Sequence, residues 1–288
     1  MPNQITGHTG LICLLGSPCK HSISPMMHND SFNILGLDYV YLCFDVDTTN
    51  LETAVKGLKE IGIKGFNCTM PDKNLMCELA DELSRAAKII GAVNTVKNEN
   101  GKLIGHNTDG VGYMMAAKDA GFDIINKKMT LLGAGGAASA ICAQAALDGV
   151  KEIDIFSIKD QFFDRAQNLV DRINTNTDCK ATLYELGDDD TLKNSISESA
   201  ILTNATSVGM APNTDNCIIK DASVFRPDLI VSDIIYNPRE TKLIKMAKDA
   251  GCKTFNGLYM LLYQGAEAFK IWTGKEMPVE QIKEKYFK

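Results

Sequence analysis

Apolar and polar positions follow two periods along this chain. Short runs dense in β-branched, aromatic and other apolar residues occur at positions 11–15, 39–46, 63–69, 92–96, 129–132, 152–156, 200–203 and 229–234, and each reads as a strand. Segments with helical spacing lie between them, so the pattern predicts an α/β protein. Ser24-Pro25 places a helix cap and a first-turn proline before residues 26–35, and Gly36 supplies the stop. The turn Asn98-Glu99-Asn100-Gly101 predicts a hairpin between 92–96 and 102–106, which makes the first sheet mixed. Residues 109–121 read as a helix closed by glycine, with a domain boundary near residue 110. No repeat of 20 to 50 residues is visible. The acidic run Asp188-Asp189-Asp190 reads as a solvated helix start.

Composition narrows the functional classes. At 288 residues the chain exceeds the usual size of one core and favours one large or two medium domains. Thirty basic against thirty-six acidic side chains give a net charge of −6 without a basic cluster, which argues against a nucleic-acid partner. Nine cysteines without a C-x-x-C pair read as reduced thiols. The apolar stretch 11–15 is too short for a signal peptide or a bilayer span, and the apolar window 129–150 is broken by glycines, Gln144 and Asp148; a cytoplasmic protein without a membrane partner is expected. His21, His28 and His106 lack a metal-ligand spacing, so no catalytic metal is expected.

Two kinds of segment carry chemistry. Residues 129–132, then Gly133-Ala134-Gly135-Gly136-Ala137-Ala138, then the apolar stretch 139–147, give strand, glycine turn and helix in the spacing G-x-G-x-x-A. In that context Gly133 makes the turn, Gly135 lets backbone amides approach a pyrophosphate, and the helix N-terminus favours its charge. The loop after the next strand, Ser157-Ile158-Lys159-Asp160, selects the cofactor. It has no arginine for a 2′-phosphate, and Asp160 can accept from ribose hydroxyls, so NAD is favoured over NADP; Lys159 leaves NADP open. The second kind comprises four polar clusters at strand ends or helix starts: residues 21–25, 67–73, 91–95 and 106–110. Closely spaced hydroxyls, a lysine and an acid suit a small hydroxylated carboxylate, with Lys73 and Asp109 managing the proton of a reacting hydroxyl.

Taken in order, S-x-S-P, N-x-T-x-P-x-K, G-A-x-N-T, N-T-D-G, G-A-G-G-A, N-A-T-S-V-G-M and Y-N-P resemble the shikimate dehydrogenase family over essentially the whole chain. The resemblance implies an N-terminal mixed-sheet α/β substrate domain, residues 1–110 completed by helices 258–288, and a Rossmann-type dinucleotide-binding domain at 111–257, with a cleft between them. It implies that Ser22 and Ser24 bind a substrate carboxylate, that Thr69, Asn94 and Gln264 hold ring hydroxyls with Asn67 in support, and that Lys73 and Asp109 form the catalytic pair. It assigns Gly133, Ala134, Gly135, Gly136 and Ala137 to the pyrophosphate and Ser157, Ile158, Lys159 and Asp160 to the adenosine side. Ser207 falls to the cofactor wall, and Ile234, Ile235, Tyr236, Asn237 and Gly257 to the nicotinamide side. NADP-specific members carry N-R-T where this chain has Ser157-Ile158-Lys159, followed by Asp160 and Phe162-Phe163. That loop looks like the quinate/shikimate dehydrogenase branch. The expectation is a reversible NAD(P)-dependent oxidation of shikimate or quinate to a ketone. An NADP-specific biosynthetic enzyme and a non-catalytic metabolite sensor are the alternatives, and a homodimer stays open.

Overall fold

A computed structural model describes residues 4–161 and 163–288; Phe162 of the cofactor loop lies outside them. The chain divides into two compact units, residues 4–108 with Leu262–Lys288, and Asp109–Leu261.

The first unit runs β1 (Gly10–Gly16), α1 (Ser24–Leu35), β2 (Tyr39–Asp45), α2 (Leu51–Glu60), β3 (Gly65–Cys68), α3 (Lys73–Leu79), β4 (Glu82–Leu83), α4 (Arg85–Ile90), β5 (Thr95–Glu99) and β6 (Lys102–His106). Its sheet has the order β2-β1-β3-β5-β6-β4, with β5 antiparallel to both β3 and β6. The antiparallel step follows from the turn at Asn100 and Gly101, both at positive φ. Cys13, Leu15, Phe66 and Val96 pack with Leu51, Val55 and Met76 to form a core on the α2 and α3 side. The segment at 92–94 is loop rather than strand, so β5 starts only at Thr95: Asn94 N is held by His106 O at 3.0 Å, and its side chain turns to Thr108. Ser24 is the first helical residue and not the cap. Ile23 holds the cap position without a side-chain hydrogen bond, which frees the Ser24 hydroxyl from the helix end.

The second unit begins with α5 (Asp109–Asp119) and continues β7 (Lys128–Leu132), α6 (Gly136–Asp148), β8 (Glu152–Ser157), α7 (Phe163–Asn176), β9 (Lys180–Glu185), α8 (Asp189–Glu198), β10 (Ile201–Asn204), β11 (Ile230–Asp233), α9 (Lys242–Asp249) and β12 (Lys253–Asn256). All six strands are parallel in the order β12-β11-β10-β7-β8-β9, the doubly wound order in which the chain crosses over between β7 and β10. The central strands are buried on both faces, hence their continuous apolar runs. Asp188 caps α8 by accepting from Thr191 N at 3.0 Å, so the acidic run is a helix start. The chain closes with α10 (Leu258–Thr273), which straddles the unit boundary, and α11 (Val279–Tyr286). Among the described residues no helix is long and apolar enough to cross a membrane.

Candidate active site

In the first unit a continuous hydrogen-bonded shell forms at the carboxyl ends of β1 and β3. Ser22 lies in the loop after β1, where its hydroxyl accepts from Ser24 N at 3.2 Å. Ser24, almost fully buried, is in hydrogen-bond contact with the hydroxyl of Tyr41 on β2. Tyr41 Oη donates to Asn67 Oδ1 at 2.7 Å, and burial holds that phenol well above its ordinary range, so it remains a donor. With its oxygen so occupied, Asn67 turns its Nδ2 to Asn94 O at 3.0 Å and Thr95 Oγ1 at 2.9 Å. Asn94 Oδ1 then accepts from Thr95 Oγ1 and Thr108 N, each at 2.9 Å, while its Nδ2 donates to Thr108 Oγ1 at 3.1 Å. Tyr41, Asn67 and Thr95 sit on strands, Asn94 and Thr108 beside strand ends and Ser24 on the first turn of α1, so the hydrogen bonds among them fix the shell before any ligand arrives.

Thr69 and Lys73 frame the segment that follows β3. Thr69 N donates to Leu15 O at 2.9 Å, and Lys73, half-buried at the first position of α3, accepts from Val93 N at 2.8 Å. Gln264 is half-buried on α10 within the same unit. Asp109 follows Thr108 directly but opens α5 in the second unit, so the expected catalytic pair is divided between the units. Tyr41, Thr95 and Thr108 join the shell without having been singled out by sequence. Thr95 and Thr108 lie inside motifs already noted, whereas Tyr41 sits in an apolar run and reads as core.

The second unit carries the glycine turn. Gly133 has φ 105, and a Cβ there would come within 2.7 Å of Thr206. Its N donates to Phe156 O at 2.7 Å, holding the turn against β8. Gly135 is the N-cap of α6 and, like Gly136, faces open space where a Cβ would meet nothing within 4 Å. Ala134 and Ala137 are half-buried beside them. Backbone N–H groups at the start of a 13-residue helix, without side chains in front of them, fit a pyrophosphate. Ser157 ends β8 nearly buried, while Ile158, Lys159 and Asp160 are exposed. Lys159 Nζ lies 3.7 Å from Glu185, which draws its charge toward β9.

Asn204 and Asp233 stiffen the far side. Asn204 Nδ2 donates to Val208 O at 3.2 Å and Asp233 Oδ1 at 3.1 Å, shaping the turn that exposes Ser207. Asp233 also accepts from Ile235 N at 3.0 Å and Thr241 Oγ1 at 2.7 Å; burial raises its carboxyl, and these hydrogen bonds oppose the shift. Ile234 N reaches Asn204 O at 3.0 Å, and Gly257 packs so tightly that a Cβ would stand 1.8 Å from Ile234 O. Tyr236 and Asn237 lie exposed beyond them. Ile158, Val208, Met210 and Tyr236 are exposed apolar residues following the carboxyl ends of β8, β10 and β11, where a doubly wound sheet binds its ligand.

Fold and site together define a two-unit α/β oxidoreductase of the dinucleotide-dependent class. The profile of the shikimate dehydrogenase substrate binding domain matches residues 14–96, and that of the shikimate 5'-dehydrogenase C-terminal domain matches residues 257–285. Shikimate dehydrogenase (NADP(+)) of Listeria monocytogenes serotype 4b (strain F2365) is 54% identical over 284 residues, 99% of this chain and 98% of its own. The crystal structure of shikimate 5-dehydrogenase from Listeria monocytogenes in complex with shikimate and NAD has a TM-score of 0.96 at 54% identity, covering 99% of this chain and 98% of that one. Quinate dehydrogenase from Corynebacterium glutamicum in complex with NAD has a TM-score of 0.86 at 29% identity, covering 97% of this chain and 99% of that one. The chain belongs to the shikimate dehydrogenase family, and it is an NAD(P)-dependent oxidoreductase acting on a CH–OH group.

Proposed function

We propose that this protein catalyses the reversible oxidation of shikimate, with quinate the poorer substrate. The observation that carries this reading is the 54% identity to a shikimate dehydrogenase over 99% of the chain, against 29% to the quinate enzyme. It moves the expectation from the quinate/shikimate branch toward shikimate. A substrate domain, bounded in this reading at 1–110 with 258–288, then holds substrate: Ser22 and Ser24 take its carboxylate, and Thr69, Asn94 and Gln264 its ring hydroxyls, with Asn67 and Tyr41 holding that shell. The second, 111–257, takes the cofactor at Gly133–Ala137, Ser157–Asp160, Ser207, Ile234–Asn237 and Gly257.

The nicotinamide ring supplies the hydride acceptor when the cofactor is bound. The alcohol carbon loses a C–H bond with its electron pair, and its O–H bond breaks at the same time. Lys73 takes the proton, and Asp109 is assigned to orient the hydroxyl. In the reverse direction Lys73 returns the proton to the carbonyl oxygen.

For the cofactor we favour NAD, because Ser157–Asp160 offers a carboxylate and no arginine; the relative's crystal structure with NAD is in line with this. Strict NADP use is the competing reading, favoured by the name of the Listeria enzyme. Steady-state kinetics with shikimate and quinate, each with NAD and NADP, test both points. The expected order of kcat/KM is shikimate over quinate and NAD over NADP. Tight binding of shikimate without turnover in any combination would instead mark a sensor.

A further inference from the structure

The segment between Thr69 and Lys73 contains a side chain to which the reaction gives no task. Asp72 is fully buried, and neither carboxylate oxygen has a hydrogen-bond partner. It holds the N-cap position of α3, with φ −83 and ψ −14, yet its side chain makes no capping bond. Its backbone is held at both ends: Asp72 N donates to Thr69 O at 3.0 Å, and Asp72 O accepts from Met76 N at 2.9 Å. The groups that face the carboxyl are Asp47, from the turn after β2, and Cys68 of β3; Lys73 of α3 acts on Cys68. Burial first, and Asp47 second, push the Asp72 carboxyl up to about 6.

A neutral carboxylic acid tolerates this position, whereas an unpaired buried carboxylate is costly. The least disruptive relief for an ionised Asp72 is movement of the first turn of α3 that lets water reach its oxygens. That movement pulls on Thr69 through Asp72 N, and on Val93 and Asn94 through the carbonyl of Lys73. Resting on the substrate shell proposed above, we infer that Asp72 is a positioning residue, carried as the neutral acid when the 69–73 segment is in its substrate-binding geometry. Its ionisation loosens that segment and couples substrate affinity to pH. A ligand that selects the neutral form takes up a proton on binding, so its affinity falls as pH rises.

The test compares wild type, Asp72→Asn and Asp72→Ala across roughly pH 5.5 to 7.5, reading KM for shikimate, KM for the cofactor and kcat. In wild type, KM for shikimate should rise about three- to tenfold over that range while KM for the cofactor stays level. Asp72→Asn, which keeps the shape and cannot ionise, should hold the low KM throughout; Asp72→Ala should lose affinity without regaining it at low pH. A role confined to stability would shift the melting temperature and leave the pH slope of KM in place. An Asp72→Asn slope equal to that of wild type overturns the inference. A second readout needs no turnover. The infrared spectrum of wild type minus that of Asp72→Asn, both without ligand, should show the carbonyl band of a neutral carboxylic acid that disappears as pH rises through about 6, and its absence from the difference at low pH overturns the inference. The band present in a protein that never turns over shikimate would refute the functional reading and uphold the neutral acid.

Discussion

His28 lies buried among Phe32, Tyr41, Phe269 and Trp272, and its Nδ1 finds no partner. Burial holds the imidazole down to about 3, so it is neutral in the folded chain, whereas an unfolded one titrates near 6.5. With the folded value depressed, its stability contribution is complete above about pH 6.5 and is lost as pH falls toward 3. His28→Phe should therefore melt close to wild type at neutral pH and be more stable by roughly 2–3 kcal/mol near pH 4.5, as read by denaturant titration. Equal acid sensitivity in both proteins would show that His28 does not carry it. At the reacting centre, Lys73→Ala should lower kcat by about two to four orders of magnitude with a smaller effect on cofactor KM. A near-normal kcat would remove Lys73 from the mechanism. Ser24→Ala should raise the KM for shikimate, because a hydrogen bond to a charged oxygen is worth about 1.5–3 kcal/mol. Since Ser24 caps nothing in the fold, a change confined to the melting temperature would point instead to its contact with Tyr41. That contact was not legible in the sequence: Tyr41 takes its role from Ser24 and Asn67, 17 and 26 positions away, and an apolar run hides it.

Whole elements are legible in the sequence where local chemistry decides them and obscured where tertiary contacts do. The hairpin at Asn100-Gly101 and the glycine turn before α6 follow from backbone demands that only certain residues meet. Strands β9, KATLYE, and β12, KTFN, carry no apolar signal in the sequence because they are edge strands with mixed polarity. The other long edge, β2, reads as apolar because it is protected by a different device. Asn29 of α1 accepts from Tyr41 N at 2.8 Å and donates to Tyr41 O at 2.9 Å, so the middle of the edge is already occupied. The loop after β8 is an element whose chemistry is testable by itself. A carboxylate at Asp160 should repel a 2′-phosphate and accept from free ribose hydroxyls, while Lys159 is drawn to Glu185. Asp160→Ala should lower the NAD-to-NADP ratio of kcat/KM by roughly tenfold, about 1.4 kcal/mol, and adding Ile158→Arg should lower it further. A wild type that favours NADP, or a ratio unmoved by Asp160→Ala, assigns the choice to another group.

At the scale of the molecule, the chain leaves its first unit at Thr108, builds the second, and returns at Leu262 to finish the first with α10 and α11. The order of motifs made this discontinuity legible only through family resemblance, since nothing in the periodicity of 258–273 tells which sheet the helix serves. Packing supplies that answer: Trp272 donates its indole N–H to Val96 O at 2.9 Å, and its ring lies against His28 and Tyr41. The chain has one tryptophan, so its fluorescence reports the unfolding of the unit that carries the proposed substrate shell. A ligand that binds only the folded state stabilises it by about 2.7 kcal/mol at 100 times its Kd. Shikimate at that excess should therefore raise the fluorescence-detected transition by roughly 4–5 degrees for a chain of this size. Ser22→Ala combined with Ser24→Ala should abolish most of the shift at the same concentration, whereas Lys73→Ala should keep much of it, because Lys73 acts chiefly on the departing proton. Quinate should shift the transition less than shikimate does. Equal shifts would mean that the shell of Thr69, Asn94 and Gln264 does not discriminate between the two acids, and a chain stabilised by NAD but indifferent to shikimate would sink the substrate assignment while leaving the dinucleotide fold in place.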